Sequence, residues 1–354
     1  MLIRLLTGIS LLLLFSGCAI HPVPEDVTGV DTYHIVRQIR CETRKAVIDF
    51  VLRQLHRQAD LQGDPIAQRL LLQYESDPES IRAFNPGLFP GPDYVEYRRF
   101  YNLIYSAAIA YTFDLTMTEQ NDLGTNINLL GPWKSKFTMG ISGDFNRQRT
   151  NERIFTITDT FAFLLASLNR SDEKGVLYCD GQIVQANYIY PIAGRIGVDK
   201  TVKTFFELTV LGGLSNKAAG PGEKGAPTMV DNLKFTTTVD LSATPKVVFT
   251  PVGAALQVSD ASVSGLAKRS DVHQVTVGLA VMPAGAVDAG LLQGFLFPGP
   301  NVAQRGLGRA SGAGGASIVV GNRVTGAGGT AAERLAVNAI DQVKSREIQV
   351  IPAP

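Results

Sequence analysis

YVEYRRFYNLIYSAAIAYTFDLTMTEQND, residues 94–122, changes its period partway along. Tyr97, Tyr101, Ile104 and Ala108 recur at three- and four-residue steps, the spacing of one buried helical face. From Tyr111 the step becomes two, with Tyr111, Phe113, Leu115 and Met117 alternating with Thr112, Asp114, Thr116 and Thr118. Such alternation marks a strand with one packed and one wet face. A helix that hands over to a half-buried strand places the chain in the α+β class. At this spacing the aromatic rings of the helical part pack into a core rather than line a ligand groove.

Upstream the helical period continues. Ile35, Ile39, Ala46 and Phe50 share a face from Tyr33 to about Gln58, with Arg37, Arg40, Arg44 and Arg57 between them. In DPIAQRLLLQY and DPESIRAF, Asp64 and Asp77 each precede proline, the pattern of an N-cap followed by proline at the first helical position. NPGLFPGP, residues 85–92, then breaks the chain.

Downstream the alternation returns in Phe137, Met139, Ile141 and Phe145, and again in Phe155, Ile157 and Phe161. The polar stretch NRQRTNE between them reads as the connection of a hairpin. Further strands are expected at Phe235–Leu241, Val247–Thr250, Leu256–Val263 and Val272–Val281, divided by SATP and GLAKRSD. Residues 190–213 suit a helix, since Ile192, Ile196, Val202 and Phe206 can share a face. From Pro298 to Gly329 the glycine-rich composition is that of a linker. A last helix, roughly Ala331–Lys344, follows with an apolar stripe through Leu335 and Ile340. Glycine's high chain entropy argues that this extension is a contact appendage outside the core.

The expected architecture is an N-terminal helical segment packed on antiparallel sheet, a Gly-rich linker and a C-terminal helix. Its divisions are 1–17, 18–30 as a tether, 31–108 helical, 109–297 mainly antiparallel β with an inserted helix, 298–330 linker, and 331–354 terminal helix and tail. A chain of 354 residues, 45% hydrophobic, can build one large or two medium cores. Its 33 Lys and Arg against 32 Asp and Glu leave no basic excess of the kind nucleic-acid binding requires.

The N-terminus sets location. Arg4 precedes an apolar run from Leu5 to Phe15, too short to span a bilayer, which takes about 20 residues. A charged start, an apolar stretch and then small residues make a secretory signal. Leu14-Phe15-Ser16-Gly17-Cys18 resembles the lipobox of bacterial lipoproteins. The resemblance implies removal of residues 1–17 as a signal peptide and lipid attachment at Cys18. With Ala19 rather than Asp following, it also implies an outer-membrane anchor facing the periplasm. Cys41 and Cys179 are then the remaining cysteines, either bridged in an oxidising compartment or two buried thiols.

Local signatures of chemistry are weak. GLGRASG and GPGEKGAPT lack the offsets of phosphate-binding loops, and SDEK, Ser171–Lys174, lacks the partner motifs of serine acyl enzymes. His21, His34, His56 and His273 are scattered, with no zinc-type spacing, so neither a metal nor a cofactor is expected. Asp114, Asp144 and Asp159 lie on strand segments, where a glycosidase-like pair is conceivable but simple solvation is the plainer reading. Two function classes follow. One is a lipid-anchored envelope protein without catalysis, structural or binding an envelope partner; the other is a periplasmic hydrolase or ligand-binding protein whose site converges only in space.

Overall fold

The computed structural model describes residues 21–130, 138–215, 225–248, 257–281 and 330–349. The fold is α+β. In chain order the elements are α1 (Glu25–Thr28), α2 (Thr32–Gln62), α3 (Pro65–Ser76), α4 (Val95–Ser106), β1 (Ala108–Leu130), β2 (Thr138–Thr160), α5 (Phe161–Ala166), α6 (Val198–Val210), β3 (Thr228–Ala243), β4 (Lys246–Val248), β5 (Gln257–Ala280) and α7 (Ala331–Gln349). The sheet order is β2-β1-β5-β3, with β4 also paired to β5. Residues 1–17, expected as a signal peptide, Cys18, and residues 298–329, expected as a linker, lie outside the described residues.

Contacts divide the chain into two units. The first comprises the described parts of Tyr33–Phe113, Phe155–Leu233 and Gln274–Pro354. Here Asp64 accepts the Ile66 and Ala67 amides and starts α3, while Asp77 accepts the Glu79 amide and starts a 3₁₀ turn. The proline-rich break after α3 is filled with aromatic side chains. Phe89 stacks on Tyr101 at 5.1 Å and Phe84 meets the same ring edge-on at 4.9 Å, so residues 84–89 are packed against α4. Ile35, Ile39, Val47 and Leu55 of α2 are fully buried, as are Val202, Phe205 and Phe206 of α6.

The C-terminal helix corrects the expectation of an appendage. Ala336 and Ile340 of α7 are buried with Ala110 of β1 and Ala280 of β5 in one apolar cluster. Gly278 permits the approach: a Cβ there would lie 2.5 Å from the Ala336 carbonyl oxygen. Small residues let a helix backbone come close to the sheet, which offsets the entropy cost that composition alone suggested.

The second unit comprises the described parts of Met1–Thr32, Asp114–Ile154 and Lys234–His273. It holds the turn-side halves of the strands. Thr112–Thr156 at 2.9 Å and Thr118–Thr150 at 3.3 Å set one constant antiparallel register between β1 and β2. NRQRTNE is therefore strand, not a hairpin connection, and the hairpin is β1–β2. The alternation fails there because β2 carries polar side chains on both faces, matched by polar partners such as Glu119, which Arg149 reaches at 2.7 Å. GLAKRSD is likewise continuous strand within β5, and Phe161 begins α5 rather than ending a strand. The tether holds the short α1 and is tied to the sheet, as the next section describes.

Candidate functional site

The ionisable groups nearest to a catalytic arrangement are committed to structure. Glu42 of α2 accepts the backbone amides of Ile196, Gly197 and Val198 at 2.7–2.9 Å, capping α6. Burial pushes its carboxyl pKa up, and those three amides work against the rise. Asp159 receives a two-pronged bond from Arg40 at 2.7 and 2.8 Å. Burial disfavours the Arg40 charge, but the carboxylate outweighs it and holds the guanidinium above its usual range. Beside this pair a disulfide joins Cys41 to Cys179, with Cα atoms 5.5 Å apart.

The three strand aspartates do not meet. Asp159 serves Arg40, Asp114 accepts from Thr116, and an Asp144 carboxylate oxygen lies over Gly124. His34 and His56 are exposed, whereas His273 is buried, its pKa lowered by desolvation and by Arg269 against the pull of Asp271 and Asp114. A cavity of about 430 Å³ lies between α6 and β3 near Lys200, Thr201 and Asp231. Thr201 donates to Asp231 there at 2.7 Å.

A charged knot gathers at the middle of the strands. Arg269 of β5 reaches Asp271 at 2.9 Å, Glu119 at 3.3 Å, Asp26 at 3.4 Å and the Val23 carbonyl at 2.6 Å. Asn151 donates to the Pro22 carbonyl at 2.9 Å, and Arg153 donates to the Thr32 hydroxyl. Residues 22–32 are thus fastened to the sheet at both ends.

From that knot toward the turns, the sheet has two chemically distinct faces. The β1–β2 register sets Leu123 opposite Phe145 and Ile127 opposite Ile141, all on one face and all 39–56% exposed. Gly124 against Ser264 and Asn128 against Asp260, bonded at 2.8 Å, set the β1–β5 register. Lys246 opposite Ser262 and Val248 opposite Asp260 set the next one. Val263, Val239 and Leu241 then fall on the face of Leu123. Asp122, Asn126, Asn128, Ser142, Asp144 and Asp240 fall on the other. Val248 and Leu266 are apolar residues on that polar face.

Two strands are edges. β2 and β3 end the order β2-β1-β5-β3, so each has one side without a strand partner among the described residues. Sequence reading missed this surface because the apolar positions are interrupted by Gly143, Thr125 and Gly265. The signal was present nonetheless: LGTNINLL and MGISGDF keep apolar or small residues at alternate positions with polar ones between. The Arg269 knot left little local signal, since beyond Asp271 its side-chain partners Glu119 and Asp26 lie 150 and 243 residues away.

A family model described as "Uncharacterised protein y4kA" matches residues 21–286. Uncharacterized protein y4kA of Sinorhizobium fredii (strain NBRC 101917 / NGR234) is 33% identical over 275 residues, covering 76% of this chain and 80% of that relative. Among solved structures, the Salmonella SPI-1 type III secretion injectisome secretin InvG aligns over 53% of this chain and 69% of its own, with a TM-score of 0.21 and 8% identity. A chain of the ETEC pilotin–secretin complex AspS–GspD aligns over 53% and 52%, with a TM-score of 0.19 and 4% identity. Scores this low carry no structural conclusion.

Proposed function

The chain belongs to the family described as uncharacterised protein y4kA, and from that premise we propose that it is a lipid-anchored cell-envelope protein with a structural or partner-binding role, exercised through its sheet. The observation that carries this reading is the fastening of residues 22–26 to β2 and β5. Val23 lies five residues beyond Cys18, at most about 17 Å of chain. An acyl group on Cys18 would therefore hold the sheet, rather than a loose body, next to a lipid surface. Several acyl chains anchor durably, because each buried CH₂ contributes about 0.8 kcal/mol. The Cys41–Cys179 bridge suits an oxidising compartment such as the periplasm, with the outer membrane as the anchoring surface.

Commitment of Glu42 and Asp159 to capping and ion pairing favours this role over hydrolysis. Cells fed an azide-bearing fatty acid test the anchor. The full chain should become labelled and Cys18→Ser should not, with the variant retaining its signal peptide or appearing free of acyl groups. An unlabelled wild-type chain would overturn the lipid anchor.

A further inference from the structure

We infer that the turn-side halves of β1, β2, β3–β4 and β5 span a lipid bilayer, and that copies of this chain join edge to edge, β2 of one beside the β3–β4 edge of the next, into one closed transmembrane barrel. This goes beyond the anchor at Cys18 and stands on different observations. The first is the segregation of the two faces. Leu123, Ile127, Met139, Ile141, Phe145 and Leu241 are exposed on one side of a sheet whose other side carries Asp122, Asn126, Asn128, Ser142 and Asp144. Water would cover both sides alike, and a soluble sheet packs its apolar face. Apolar outward and polar inward at period two is the pattern of a strand between lipid and an aqueous lumen.

Length agrees with that environment. From Asn121 to Leu130, and from Thr138 to Arg147 opposite, each strand offers about ten residues, the number a tilted strand needs to cross the hydrocarbon core. The apolar face ends abruptly in charge. Arg147, Arg149 and Arg153 follow Phe145 on the same face of β2, and Arg147 lies over the Phe145 ring at 4.9 Å. The Arg147 guanidinium at that level fits a lipid phosphate by bidentate hydrogen bonding, whereas Arg149 and Arg153 are engaged by Glu119 and Thr32. Val23, five residues after Cys18 in sequence, is tied to this same level by Arg269.

The edges decide the assembly. Hydrocarbon leaves backbone N–H and C=O groups no water to bond, so only closed barrels of strands cross a membrane. Four strands do not close alone, and β2 and β3 are open edges. In an antiparallel sheet ordered β2-β1-β5-β3, the two edges run in opposite directions. The β3–β4 edge of one copy therefore meets β2 of the next in antiparallel pairing, and any number of copies keeps the ring regular. Head-to-tail contacts of this kind generate a ring when the rotation closes. The polar face then lines a water-filled passage.

Spin labels on single-cysteine variants of the full chain, in native envelope membranes, test the two faces. Labels at Leu123→Cys, Ile127→Cys and Phe145→Cys should be reached by dissolved oxygen in preference to a water-soluble nickel chelate by several-fold. Labels at Asn126→Cys and Asn128→Cys should show the reverse. The extracted wild-type protein should run as an oligomer unless boiled and should give discrete conductance steps in a planar bilayer of phosphatidylethanolamine and phosphatidylglycerol. Ile141→Arg should lose those steps while keeping the Cys41–Cys179 bridge, which reports that the helical unit has folded. A membrane-bound monomer would overturn the closed ring. Water access at both sets of labels, or shielding of both sets in a soluble oligomer, would overturn the bilayer location. Fatty-acid labelling of Cys18 reads the anchor separately from all of these.

Discussion

Between Ala108 and Met117, β1 buries Tyr111, Phe113, Leu115 and Met117 completely. Six residues further along, Leu123 occupies the same face of the same strand and is 46% exposed. The alternation is the same; the cover differs. Period two announces which face is apolar, but whether protein or another medium meets that face depends on what packs there. In the first stretch that face is fully buried, with Phe113 beside its cross-strand neighbour Phe155 at 4.8 Å. In the second no such packing exists among the described residues.

Substitution at the two kinds of position should separate them most sharply. Phe113→Ala removes a ring from a packed core and should destabilise the purified protein by about 3–5 kcal/mol in urea unfolding. Leu123→Ala in detergent should cost within about 0.5 kcal/mol, since little protein contact is lost. Similar costs at both sites would erase the distinction. Next in size is the disulfide, which closes a separation of 138 residues within the helical unit. Cys179→Ser should lower stability by about 2–4 kcal/mol. Hydrogen exchange should rise in α2 while amides of Asp114–Ile154 keep their protection; a uniform rise would mean the two units do not respond separately.

The smallest expected effect is a pH dependence in the sheet unit. His273 has its pKa lowered in the folded state, chiefly by burial. A lowered value means the folded protein binds fewer protons than the unfolded chain at mildly acidic pH. Its contribution is therefore complete above the ordinary histidine range and is lost as pH falls toward the depressed value. Thermal stability should decline from pH 7.5 to 5, and His273→Gln should flatten that decline. An unchanged slope in the variant would assign the pH dependence to other groups.

Legibility followed the range of the interaction. Asp64 and Asp77 were readable as caps because an N-cap bonds amides two or three residues ahead. The helical face of α2 and the switch of period into β1 were readable for the same local reason. The continuity of β2 and β5 was not, since residues 146–152 and 265–271 owe their strand geometry to cross-strand partners such as Glu119 rather than to their own pattern. The docking of α7 was hidden because alanines opposite Gly278 look weakly apolar in isolation yet pack closely. For the candidate surface, composition showed the alternate positions, but only the register across β1, β2 and β5 gathers them on one face.

The seating of α7 against Ala110 and Ala280 also bears on the order in which the chain acquires its structure. A ribosome delivers residue 110 more than two hundred positions before residue 336, and a chain threaded through an export channel emerges in the same direction. Until the last segment arrives, the strands that α7 covers have a bare apolar strip and no native cover for it. That part of the core is completed only once residues 331–340 have been made and can seat on it. A nascent chain truncated before Ala331 should accordingly remain protease-sensitive in a region that the finished protein protects.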